Sequence, residues 1–120
     1  MNKDFILEGW DLKKVPSPSF VLHLEMLEEN LKTIDKVRKD AGVEVIMALK
    51  ANATWPIFPL LAEHSDGATA SSLSEARLIA EEMKCKAHIY APVYMEEEFE
   101  EILSYSSHLT FNSLSQWKRY

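Results

Sequence analysis

The sequence predicts a parallel α/β fold built from repeated βα units. Three observations carry this. Short apolar runs alternate with segments of helical period. The inferred strand starts near Val43, Gly67, Ala87 and His108 lie about two dozen residues or less apart. The connections between them carry helix-capping residues. A strand, a helix and a strand in that order imply a parallel sheet with right-handed crossovers. Short, even units favour a closed (β/α)8 barrel of the TIM type over an open sheet. Four barrel strands are visible where eight are needed, so the expectation is the N-terminal half of such a barrel, truncated before the remaining strands.

Residues 1–24 read as an approach segment and a strand. Pro16 and Pro18 forbid helix and favour extended backbone, and SFVLHL (Ser19 to Leu24) has Phe20, Val21 and Leu22 as its apolar centre. From Glu25 the period changes. Leu27, Leu31, Ile34, Val37 and Ala41 repeat at helical spacing, Glu28/Lys32 and Asp35/Lys39 can pair on the wet face, and Gly42 closes the helix. VEVIMAL is continuous rather than alternating, which suits a parallel strand covered on both faces. Thr54 can cap a short helix with Pro56 near its first turn. Asp66-Gly67 turns the chain into GATAS, a small-residue strand. Ser72-Leu73-Ser74-Glu75 fits a capping box and opens the next helix. AHIYAPVY is a third barrel strand, followed by a helix whose first turn holds Glu96, Glu97 and Glu98, where the macrodipole favours them. HLTFN is the fourth, and Ser113-Leu114-Ser115-Gln116 opens the last helix.

Bulk properties narrow the function. A net charge of −6 argues against a nucleic-acid partner, because no basic surface competes for phosphate counterions. The longest apolar runs fall far short of a membrane span, and the first residues lack the apolar core of a secretory signal. The single cysteine, Cys85, makes neither an internal disulfide nor a Cys-rich metal site. A soluble, cytoplasmic protein is the expectation. The four histidines have no ligand-like spacing, so no metal site is expected. His88 and His108 lie at strand starts, the structural end of a barrel, and Trp55 and Trp117 read as packing residues at helix starts.

Lys50 stands out. It ends the dry run VEVIMAL, and in parallel α/β folds reacting groups collect at the C-terminal ends of strands. Partial desolvation there favours a free amine, which can attack an aldehyde and hold a Schiff base. On spacing alone Lys50 equally marks the point where the strand leaves the core.

The residues after it supply a resemblance. LKANA resembles the lysine motif of fold-type III pyridoxal-phosphate enzymes, the alanine racemase and ornithine decarboxylase group. ALKANATWPIFPLL, DGATASSLSEARLIAEEM, HIYAPVYMEEEFEEIL and HLTFNSLSQWKRY, in this order, look like the carboxynorspermidine (carboxyspermidine) decarboxylase family, and PSPSFVLHLEMLEENL is similar to that family's start. The similarity runs from about Val15 to the end; Asn52 and Thr54 read more like the racemase form of the motif. The resemblance implies a pyridoxal 5'-phosphate cofactor bound through Lys50. It also implies a cofactor face that includes Asn52, Thr69, Ser71, Glu75, Tyr90 and Asn112. Residues 1–24 would associate with a C-terminal β domain, and 25–120 would form part of the cofactor-binding barrel. The substrate would be a polyamine-like acid, the full-length protein a homodimer, and this 120-residue piece alone inactive.

Each residue also has a plainer role. Ser72 and Glu75 satisfy a capping box; Thr69 and Ser71 are small enough to let helix and strand pack closely; Tyr90 suits a core aromatic; Asn112 suits a turn at a strand end. Rival functions stand beside this one. One is a non-catalytic single-barrel carrier of pyridoxal phosphate, or a related decarboxylase or racemase acting on diaminopimelate, ornithine or alanine. The other is a flavodoxin-like or receiver-like signalling module of about this length, disfavoured because its strand ends carry Lys50, Ser71, Tyr94 and Asn112 rather than an acidic cluster.

Overall fold

The structure is a computed structural model that describes residues 9 and 11–120. Four strands form one sheet in sequential order: β1 (Met47–Ala48), β2 (Ala68–Ala70), β3 (Ala87–Tyr90) and β4 (Ser106–Thr110). All three pairings are parallel. Helices α1 (Leu24–Ala41), α2 (Phe58–His64), α3 (Leu73–Leu78), α4 (Glu96–Tyr105) and α5 (Leu114–Arg119) alternate with them. Sequential order is what a barrel wall requires. A flavodoxin-like sheet reverses its order at a switch point and carries helices on both faces, so that rival fails on topology.

Burial alternation shows which face the helices cover. Ala68, Ala70, Ala87 and Ile89 are buried, while Thr69 and His88 are only partly so and Tyr90 is exposed. The core lies between the sheet and the helices, with Phe58, Leu31, Ile79 and Ile89 its largest fully buried side chains. The other face has no helical cover among the described residues. VEVIMAL, expected to be covered on both faces, is therefore covered on one; its strand is Met47–Ala48, and Val45 O and Leu49 N–H on either side also bond across to Asp66 N–H (2.8 Å) and Thr69 O (3.3 Å).

The segment Ser19–Leu24 is not a strand. Leu24 already begins α1, and Phe20, Val21 and Leu22 are exposed. An extended stretch becomes a strand only when a neighbour accepts its backbone bonds, and no neighbour lies beside it among the described residues. His23 caps α1 instead, its Nδ1 accepting from Met26 N–H at 3.3 Å. Gly42 ends α1 in the left-handed region at φ 65°, as a C-terminal glycine does. Arg38 near that end reaches Asp35 (2.6 Å) and Asp66 (2.5 Å), and Asp66 accepts from Val45 N–H at 2.8 Å. This network ties α1 to the entries of both β1 and β2. After α3 the helix widens into a π-type turn over Ile79–Met83 and stops at Lys84, a left-handed residue at φ 58°.

Candidate active site

Register places the chemistry. Ala48 pairs with Thr69, Thr69 with His88, and His88 with His108. These four residues form one row across the uncovered face. Side chains alternate along a strand, so the next residues on that face toward the C-terminal ends of β3 and β4 are Tyr90 and Thr110, which are paired directly; Ser71 follows β2 by one residue, and Lys50 follows β1 by two, in a turn where Ala51 N–H and Asn52 N–H donate to Ala48 O. Lys50 thus stands one residue past buried Leu49, at the C-terminal tip of β1. It is exposed, so these residues do not supply the desolvation expected of it. The cause is positional: β1 is an edge strand and its tip carries no cover from the described elements.

The neighbours fall into two groups. Thr69 and Ser71 are part-buried and flank the Lys50 tip on the adjacent strand. Tyr90 is 45% exposed, so it is a face residue and not the core aromatic it resembled in sequence. The others are occupied by their own loops. Asn52 Oδ1 accepts from Thr54 N–H at 3.0 Å, and Thr54 makes no side-chain cap to the 3-10 turn Trp55–Ile57. Asn112 Nδ2 donates to Pro92 O at 2.6 Å. Glu75 Oε2 accepts from Ser71 N–H at 2.6 Å. Trp55 and Trp117, read as packing residues, are both more than half exposed.

Two features escaped the sequence reading. The β3–β4 ladder shifts register between Ala87 and His88, leaving Ser107 as the extra residue of a bulge. The shift brings His108 opposite His88, with ring centroids 4.2 Å apart and stacked. Ser107 Oγ donates to Ala87 O at 3.1 Å and holds the bulge. The alternation in AHIY signals that His88 faces away from the helices; nothing local signals the bulge. The second feature is Tyr94, buried at the end of the β3–α4 connection. Its hydroxyl accepts from Ala91 N–H (3.3 Å) and donates to Thr110 O (2.7 Å), joining the C-terminal ends of β3 and β4. Phe99, Phe111 and Tyr120 pack around its ring.

Fold and site together define a wall of βα units with a lysine at the C-terminal tip of its first strand and small hydroxyl residues beside it. Comparison with known proteins narrows the class. The chain is similar, over nearly all its length, to carboxynorspermidine/carboxyspermidine decarboxylases and to a carboxyaminopropylagmatine decarboxylase. It is 48% identical over 115 residues to a carboxyaminopropylagmatine decarboxylase of Synechocystis sp., covering 96% of this chain and 30% of that protein. It is 34% identical over 106 residues to a carboxynorspermidine/carboxyspermidine decarboxylase of Herminiimonas arsenicoxydans, covering 88% and 29%. The crystal structure of carboxynorspermidine decarboxylase from Campylobacter jejuni, complexed with norspermidine, superposes with a TM-score of 0.85 at 33% identity, over 88% of this chain and 29% of that one. The chain therefore spans about 30% of the length of the relatives it matches. No protein-family model matches it.

Proposed function

We propose that this chain is part of a pyridoxal-phosphate-dependent decarboxylase that acts on a carboxylated polyamine in polyamine biosynthesis. The observation that carries the reading is the placement of Lys50 at the C-terminal tip of β1, in a chain aligned almost throughout with decarboxylases named for such substrates. Lys50 fits the role of covalent anchor. The residue is exposed, and among the described residues its amine enters no ion pair or hydrogen bond. Ala48 and its register partner Thr69 have small side chains, as does Ser71. When bound, pyridoxal phosphate supplies the electron sink that lets a substrate carboxylate leave as carbon dioxide. Thr69 and Ser71 offer hydroxyls to the group held on Lys50, and Tyr90 offers an aromatic wall two strands away. Asn112 borders the far side. The residues that hold the cofactor phosphate and pyridine nitrogen are assigned to chain beyond these 120 residues, because no glycine-rich loop follows any strand here. The same added chain shields Lys50, completes a barrel, contributes a β domain and forms a homodimer. On this reading the 120-residue chain alone does not turn over substrate.

Two substrate readings share this scaffold. Carboxynorspermidine or carboxyspermidine follows from the Herminiimonas and Campylobacter relatives. A carboxylated aminopropylagmatine follows from the higher identity, 48%, to the Synechocystis relative. The first test is covalent: incubation with pyridoxal phosphate, borohydride reduction, and mass spectrometry of the peptide containing Lys50. Reduced adduct on Lys50, lost in Lys50→Met, supports the reading; labelling spread over surface lysines with Lys50 unmodified overturns it. Carbon dioxide release from the three acids, measured with the protein expressed from the full reading frame, separates the substrates.

A further inference from the structure

We infer that Glu75 and Gln116 are positioning residues that hold the two mouth residues Ser71 and Asn112 by hydrogen-bond geometry, not by charge. The functional arm of this inference rests on the reading above. The two loops are built alike. Ser72 and Ser113 are N-caps, their hydroxyls accepting from Glu75 N–H (3.2 Å) and Gln116 N–H (3.1 Å). Each helix then repeats Leu-Ser before its acceptor: Leu73-Ser74-Glu75 and Leu114-Ser115-Gln116. In an ordinary capping box the side chain three residues after the cap, in the first turn, returns to the N–H of the cap residue itself. Here both reach one residue further out. Glu75 Oε2 accepts from Ser71 N–H (2.6 Å), and Gln116 Oε1 accepts from Asn112 N–H (3.0 Å).

The bond therefore lands on the residue that leaves the strand, at the C-terminal end of the sheet. Ser71 stands beside the Lys50 tip, and Asn112 follows β4 by two residues. Fixing their backbone N–H fixes the direction in which each side chain leaves the loop. An amide oxygen suffices at position 116, so the carboxylate at 75 is not needed for its charge. The amide at 116 does more: its Nε2 joins Asn112 Nδ2 in donating to Pro92 O (3.3 and 2.6 Å), which links the β4 loop to the loop after β3. A glutamate there would keep the N–H bond and lose that donor. Glu75 thus acts through Ser71 and not as a cofactor ligand.

The test uses the protein expressed from the full reading frame and two readouts. One is amide hydrogen exchange at Ser71, which involves no cofactor. The other is the yield of borohydride-trapped pyridoxal phosphate on Lys50 at subsaturating cofactor. Glu75→Ala is expected to speed Ser71 exchange about tenfold, the worth of one hydrogen bond, and to lower the trapped yield several-fold. Glu75→Gln should leave both within about twofold of the parent, since the amide keeps the acceptor. If Glu75→Gln falls with Glu75→Ala, the charge is what acts and the inference is overturned. Unchanged Ser71 exchange in Glu75→Ala overturns it equally. If Glu75→Ala does not fold, Gln116→Ala read at the Asn112 amide carries the same test. Absence of trapping on Lys50 in the parent full-length protein refutes the proposed function, and amide exchange still decides the clamp.

Discussion

Tyr94 shows how one side chain can join two strands. Its hydroxyl serves an N–H of one connection and a carbonyl of the next strand, while its ring anchors an aromatic cluster. Burial is the main cause that pushes its phenol above the ordinary range. Tyr94→Phe keeps the ring and strands the Ala91 N–H, so a loss of about 1–3 kcal/mol is expected, read as a lower urea midpoint at unchanged slope. Phe58 has no exposed surface and no polar role. Phe58→Ala should cost about 3–5 kcal/mol through lost burial and the cavity left behind. Cys85 is part-buried, and burial alone pushes its thiol up. Since the thiolate is the reactive form, the folded chain should react with a thiol reagent at neutral pH several-fold more slowly than the same chain in urea. Equal rates would contradict the placement of Cys85.

At the scale of elements, the helices are held by their ends more than by their length. α3 and α5 have six residues each, too short to persist on propensity. Ser72→Ala and Ser113→Ala should each cost about 1 kcal/mol by removing an N-cap, measured by urea unfolding. α1 has eighteen residues and a charge network at its C-terminal half. The hydrogen bond from Lys39, and then that from Arg38, hold the Asp35 carboxyl below its ordinary range. A carboxyl lowered in the folded state binds fewer protons there than in the unfolded chain. Its stabilisation is therefore complete above the ordinary aspartate value and is lost as pH falls through the lower folded value. Asp35→Asn should lower stability near neutral pH and flatten the acid limb of the stability curve; an acid limb of unchanged slope would remove Asp35 from the account.

The whole molecule is open. Its radius of gyration is 17.7 Å, whereas a compact domain of this length has about 14 Å. One sheet face lacks helical cover among the described residues, β1 and β4 are edges, and Phe20, Leu114 and Trp117 are exposed. Beside β4 lies a groove of about 530 Å³ lined by residues that include Leu109, Phe111 and Trp117. Free strand edges and apolar surface favour association. The 120-residue chain should therefore gain mass with concentration in light scattering, and a single monomer mass across a hundredfold range would count against this.

Much of the fold was legible locally. The 3.6-residue period of α1, Gly42 after it, and the Ser-Leu-Ser-Glu and Ser-Leu-Ser-Gln starts are written in neighbouring residues, because helices are capped and terminated by groups a few positions away. The βα order and the strand end at Lys50 follow from the same local pattern. What only the tertiary structure decided is everything set by pairing across the sheet. SFVLHL has the composition of a strand but no partner, and VEVIMAL keeps two ladder residues. Tyr90 turned outward because Ala87 and Ile89 took the helical face. His88 met His108 only through the bulge at Ser107. Register and facing depend on residues twenty or more positions apart in the chain, and a local pattern carries no information about which distant backbone will satisfy it.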